Sequence, residues 1–245
     1  MKKIVFPLIF LILLLGACSS NKAFDAMPVA EKMRIGNELF GRKKYNKAIP
    51  YYTAVAFEKN SAYTAEAQAR IADCYFNQNK FIDAIFEYEE LIRIFPDYED
   101  INLAYFQIGV CHFERSLSPH YSQEETNSAI ASFERFIEKF PFDHKKSEAI
   151  EYINKCHYKL LEKKYYNGYA YYKMYDYSAA LMYFDEIIEL GNINELDKKS
   201  LYYAARIYIV RKDKDNALKM SEKINARYPD SKEAHKINKL VEKKF

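Results

Sequence analysis

The sequence predicts an all-α chain, a superhelical solenoid of about five helix-turn-helix repeats. Turn-formers are scarce: six glycines and seven prolines in 245 residues, about 5% against an average of about 12%. That argues against a sandwich or barrel, which needs a turn every 8–12 residues or so. Rings are abundant, with 23 Tyr, 17 Phe and no Trp, as expected of helices packed through aromatic side chains. A phrase with an alanine flanked by rings recurs along the chain. At 49% hydrophobic content there is enough apolar surface for a real core, which excludes disorder throughout.

The first element is a processing segment. Lys2 and Lys3 precede an apolar run from Ile4 to Leu15, within the roughly 7–15 residues of a signal h-region and too short to span a bilayer. Leu15-Gly16-Ala17-Cys18 then resembles a bacterial lipobox, whose cysteine carries S-diacylglycerol and, after cleavage, an N-acyl chain. An ordinary signal peptide with an incidental cysteine is the alternative. Residues 1–17 are thus expected to be removed and 18–29 to form a lipidated tether, with no other cofactor. Cleavage removes two lysines and no acid, taking the formal charge from +3 to +1, which argues against nucleic acid as partner. A triacylated cysteine holds stably to a bilayer. In lipoproteins of the enterobacterial type, Ser19 after that cysteine implies the outer membrane.

The repeats follow. Tyr45, Ala48 and Tyr52 make one copy of the phrase; Phe81, Ala84 and Tyr88 a second; Tyr177, Ala180 and Phe184 a third. Ala129 with Phe133, and Ala217 followed by Ser221, are weaker copies. Twelve residues before four of these alanines stands a small residue, Gly36, Ala72, Gly168 or Ala205, where two helices can approach closely beside a ring. Leu39, Tyr75, Tyr171 and Tyr208 follow three later. Pro96, Pro141 and Pro229 close three units, since proline stops a helix and pushes its predecessor out of αR. The pattern resembles tetratricopeptide repeats, with Lys32, Gln68, Tyr105, Lys164 and Leu201 in the usual tryptophan slot. Pro50, one turn into its helix, is expected to fray or tilt its start. Gly109 stands 20 residues before Ala129, so the third turn carries an insertion, Arg115 to Asn127, a candidate contact loop. Repeats 1–3 are expected over 30–141 and repeats 4–5 over 142–245.

No catalytic pattern is present: no H-E-x-x-H, G-x-G-x-x-G, P-loop or G-x-S-x-G. His112, His120, His144, His157 and His235 lack metal-ligand spacing. Glu89-Glu90 and Glu124-Glu125 point about 100° apart on a helix and read as solvated faces. Cys74, Cys111 and Cys156 read as buried packing residues, a Cys74–Cys111 disulfide being the alternative. Neither a metal site nor an enzyme is expected.

A stack of helix pairs has a concave face built from the first helices. The positions lining it in tetratricopeptide repeats fall here on Met33, Asn37 and Phe40, on Asp73, Phe76 and Asn77, and on Phe106 and Phe113. Rings among amides suit an extended peptide with aromatic side chains, although each ring suits packing between repeats equally well. Met33 stands where a first-repeat lysine of the chaperone-binding carboxylate clamp would be. The last two repeats place Tyr165, Tyr169, Tyr172 and Lys173, then Tyr202 and Arg206, on the equivalent face, a different chemistry that suggests a different partner.

Three features together resemble the BamD family, the tetratricopeptide lipoproteins of the outer-membrane β-barrel assembly machine: the lipobox at Cys18, five repeats, and the run Pro96-Asp97-Tyr98 to Ala104-Tyr105-Phe106 with Gly109. The stretch from Ser147 through Glu162 to Ala180 is similar to the family's joining helix, whereas Gly191-Asn192 replaces its Tyr-Pro-Asp-Thr type ending. The resemblance implies a non-enzymatic, lipid-anchored scaffold on the periplasmic face of the outer membrane. Its expected partners are the POTRA-bearing Omp85-type barrel subunit, through the C-terminal repeats, and unfolded outer-membrane proteins, through the N-terminal groove. A lipoprotein adaptor of pilus, secretin or division assembly is the alternative.

Overall fold

The computed structural model describes residues 24–58 and 61–245, and in them the chain is helical, without strands. Cys18 and the signal segment lie outside the described residues. The helices are α1 (Val29–Gly41), α2 (Tyr45–Ala56), α3 (Thr64–Phe76), α4 (Phe81–Ile94), α5 (Ile101–Arg115), α6 (Glu124–Lys139), α7 (Lys146–Lys173), α8 (Tyr177–Glu189), α9 (Glu195–Val210), α10 (Lys214–Arg227) and α11 (Lys232–Lys244). They form two compact units, one ending at Glu114 and one beginning at Arg115. None of the described helices is long and apolar enough to cross a membrane.

In the first unit, α1 packs on α2, α2 on α3 and α3 on α4. The spacing of small residue and ring is what closes the first pair. A Cβ placed on Gly36 would lie 2.7 Å from Tyr52 Cε1, so any larger residue would push the helices apart. Met33, Ala48, Tyr52, Val55, Ala67, Ile71 and Cys74 form the core there. Pro50 does not end α2, which runs continuously through it. The expected tether is partly folded: the Phe24 ring lies 5.1 Å from that of Tyr51, and Lys32 Nζ donates to the Asp25 carbonyl at 3.5 Å. Lys32, in the tryptophan slot, is buried and stands 3.9 Å from a Glu58 carboxylate oxygen.

In the second unit, α7 is the shared element. Its 28 residues pack against α6, α8 and α9. Phe133 of α6 stacks on Tyr152 of α7 at 4.9 Å, so α6 belongs with α7, and the division of the chain falls inside the third repeat instead of after Pro141. The insertion is stitched to α7 by Lys159, which donates to Ser116 Oγ at 2.6 Å, and by Lys163, which donates to the Tyr121 carbonyl at 2.8 Å. Gly168 repeats the close approach, with a hypothetical Cβ 2.9 Å from Tyr183 Cβ and 3.0 Å from Phe184 Cε1.

Four inter-helix turns share one geometry. Lys43, Asn79, Tyr175 and Lys212 all have φ near +60°, each two residues before the second helix of its pair. The amide after each reaches back to the carbonyl five residues earlier: Lys44 to Leu39, Lys80 to Tyr75, Asp176 to Tyr171 and Asp213 to Tyr208, at 2.8–3.1 Å. This is the Schellman closure of a helix, which usually takes glycine at its left-handed residue.

Candidate functional site

Repeat register sorts the expected face residues by depth. Met33, Phe106 and Tyr165 are buried, at 3%, 3% and 7% exposure, and so do not line an open face. Each stands three residues before a close-packing glycine, Gly36, Gly109 or Gly168, and residues three apart share a helix face. The position therefore points into the contact that the glycine makes possible. The lining positions of tetratricopeptide repeats put these side chains on the groove; their helix turn shared with the glycine three residues on places them in the interior.

The next slot, one residue after the small residue, holds Asn37 and Asp73, and both accept a hydroxyl from the ring of the paired helix. Tyr52 Oη donates to Asn37 Oδ1 at 2.8 Å, and Tyr88 Oη donates to Asp73 Oδ1 at 2.7 Å. Arg70 completes the second contact by donating to Asp73 Oδ2 at 3.3 Å. Burial holds the Asp73 carboxyl above the usual carboxylate range, against the downward pull of the Tyr88 hydroxyl and Arg70. Burial, with Asp73 beside it, keeps Tyr88 protonated. These bonds tie first helix to second, so the polar groups expected to pair with a peptide backbone are partly engaged already.

Phe40 and Phe76, on the last turn of their first helices, are half-buried. Each meets the first residue of the following helix edge to face: Phe40 on Tyr45 at 5.3 Å and Phe76 on Phe81 at 5.7 Å. The Arg70 guanidinium lies 5.6 Å from the Phe40 ring. Asn77 is exposed, accepts from Tyr45 Oη at 3.5 Å and donates to the Asp73 carbonyl at 2.8 Å. Phe113 is half-buried.

The second unit presents rings in the same register. Tyr165, Tyr169 and Tyr172 follow along α7, stacked at 6.2 and 6.3 Å, and Tyr203 of α9 lies 5.2 Å from Tyr169 and 4.8 Å from Tyr172. Arg206 stands between Tyr172 and Tyr202, 5.6 Å from each ring, a cation–π arrangement. Burial is the main cause that raises Tyr172 above the ordinary phenol, with Arg206 opposing it. Lys173 is exposed beside them. Tyr203, which the register did not single out, is the ring that joins the α7 ladder to α9. Adjacency to Tyr202, just before the small pair Ala204-Ala205, was the available signal.

The remaining cysteines, Cys74, Cys111 and Cys156, are free and buried, and burial pushes the Cys74 thiol up to about 12, so it packs as an inert small hydrophobe. Among the described residues no cluster of His, Cys, Asp and Glu has the geometry to hold a metal ion.

Residues 25–189 match the model of a family described as an outer membrane lipoprotein, YfiO, and residues 199–231 match a tetratricopeptide repeat. The outer membrane protein assembly factor BamD of Rickettsia prowazekii (strain Madrid E) is 25% identical over 233 residues, 94% of this chain and 93% of that protein. BamD of Caulobacter vibrioides is 21% identical over 189 residues, 76% of this chain and 61% of the relative. Among solved structures, the TPR2AB-domain:pHSP90 complex of yeast Sti1 aligns with a TM-score of 0.48 and 13% identity, over 87% of this chain and 83% of that one. The lipoprotein model takes in two thirds of the chain, from just before α1 through the end of α8, and the chain therefore belongs to the YfiO family of outer membrane lipoproteins.

Proposed function

We propose that the chain is a non-enzymatic scaffold of outer-membrane protein assembly, anchored on the periplasmic face by lipid on Cys18. The observation that carries this reading is the likeness to the R. prowazekii assembly factor across 94% of this chain. The repeat surfaces support a division of labour. The half-buried rings Phe40 and Phe76, with Phe113 in register and the exposed amides of Asn37 and Asn77, suit the aromatic-ended strand of an unfolded barrel protein. Tyr169, Tyr172, Tyr202, Arg206 and Lys173 suit a folded partner, the POTRA-bearing barrel subunit, because tyrosine and arginine are enriched among the residues that carry binding energy at protein interfaces.

The test is affinity purification of the tagged chain from detergent-solubilised outer membrane. An Omp85-type barrel protein is expected to copurify, and Arg206→Glu to reduce its recovery severalfold with the helical content unchanged. Recovery of a secretin or of division proteins in its place overturns the reading. Cys18→Ser is expected to abolish labelling by palmitate and release the chain from membranes.

A further inference from the structure

We propose that the outer ridge of α4, with the end of α2, receives a cationic amphipathic helix from a partner protein. This surface is separate from the first-helix face considered above. Ile82, Phe86, Glu90 and Ile94 follow one another at intervals of four, so they stand in one row along α4. Ile82 is 66% exposed, Phe86 59% and Ile94 46%, and Phe57, at the end of α2, is 82% exposed. Phe57, Phe86 and Ile94 line one cleft of about 400 Å³, floored by Ile71 and Tyr75 of α3. Clustered exposed side chains of this size mark an interaction surface, unlike scattered ones.

The ridge is fullest on this helix; α8 carries Ser178, Met182, Glu186 and Leu190 at the corresponding places, exposed and apolar at Met182 and Leu190 only. At the corresponding places α2 carries Asn46, Pro50, Ala54 and Glu58, and α10 carries Asp215, Lys219, Lys223 and Arg227. Repeat packing therefore does not require it.

Charge and shape select the occupant. Residues 81–100 hold seven acids and a single base, Arg93, in a chain whose formal charge is +3. Arg93 is engaged by Glu90, and Glu87 and Glu90 themselves line the cleft. Such a field draws lysine and arginine and repels an anionic bilayer. A row at intervals of four is also the ridge that seats in the groove of a second helix, crossing at about −50°, so the fitting partner is a helix with an apolar stripe flanked by basic residues.

The experiment uses the chain from residue 18 onward carrying Cys18→Ser, and two fluorescent 18-residue helical peptides of equal leucine pattern, one with lysine and one with glutamate at its polar positions. Fluorescence anisotropy is expected to show the lysine peptide binding at least tenfold more tightly than the glutamate peptide. Phe86→Ser with Ile94→Ser is expected to weaken it at least tenfold, with circular dichroism unchanged. Glu87→Gln with Glu90→Gln is expected to flatten its salt dependence, and Phe142→Ser, at a 99% exposed ring of the other unit, to leave it unaltered. Equal binding of the two peptides, or equal binding by the Phe86→Ser, Ile94→Ser chain, overturns the proposal. So does failure of the lysine peptide to bind while the chain floats with phosphatidylethanolamine–phosphatidylglycerol vesicles through Phe86 and Ile94, which would make the ridge a membrane contact.

Discussion

The second helix of a repeat starts in two ways in this molecule. In the first unit Lys44 and Lys80 precede α2 and α4 and make no side-chain cap. In the second unit α6 also starts without one, whereas Asp176 and Asp213 hold the register of Lys44 and Lys80 before α8 and α10, and accept the amides of Ala179 and Asn216 at 3.1 Å. Helix pairs are joined differently too. The first unit uses the hydroxyls of Tyr52 and Tyr88 on Asn37 and Asp73. In the second, Phe184 has no hydroxyl and stacks instead on Tyr203 at 5.9 Å, while Asn194 caps α9 and Asp197 ties it to the end of α10. Repeat register thus fixes where the helices go, and each unit supplies its own bonds to hold them there.

Substitutions can break or sharpen that contrast. The largest effect belongs to Asp197, which is fully buried and accepts from Arg227 at 2.6 Å and Tyr228 Oη at 2.7 Å. Asp197→Ala leaves the guanidinium without its counter-charge, at an expected cost of about 3 kcal/mol, read by urea unfolding. Loss should be greatest in hydrogen-exchange protection of α9 and α10, with α1 to α4 little changed. Next is Gly36→Ala, whose methyl must displace the Tyr52 ring and is expected to destabilise by about 2 kcal/mol. Gly41→Ala, with nothing within 4 Å of the new Cβ, provides the control and should be neutral or slightly stabilising in thermal unfolding.

Tyr88→Phe removes a hydroxyl from a carboxylate and should cost about 1.5 kcal/mol at neutral pH. Its pH dependence has a definite sign. The folded Asp73 carboxyl already lies above its ordinary value, so its ionisation works against folding as pH rises. Without Tyr88 to stabilise the anion, the loss should be larger at pH 7 than at pH 4, and an equal loss at both would show that Asp73 does not depend on this bond. The smallest effects test the caps directly: Asp176→Ala should destabilise and Lys44→Asp stabilise, each by about 1 kcal/mol. Two changes of the same sign would mean that the units differ in more than their cap residues.

What could be read from residues alone follows the same division. The close approaches at Gly36 and Gly168 were legible because a missing side chain and a ring recur at fixed spacing. The tight turns were legible as turns, but not as left-handed ones at Lys43, Tyr175 and Lys212. Local preference is weak there, and the closure by carbonyls five residues back overrides it. Phe40 and Phe76 fell on the expected face, yet their contacts with Tyr45 and Phe81 depend on how each turn folds back, which spacing does not encode. The expected boundary after Pro141 followed the repeat count, whereas the packing of Phe133 on Tyr152 joins α6 to the later repeats.

At 28 residues, α7 is about 42 Å long and serves as neighbour to α6 at one end and α8 at the other. In a stack of separate repeats each unit can open by itself, its stability adding to that of its neighbours. A continuous helix shared by two repeats removes that freedom. The amides of α6 and α8 are therefore expected to exchange with solvent in a single concerted event, as one foldon, although the two helices are separated in sequence by the whole of α7.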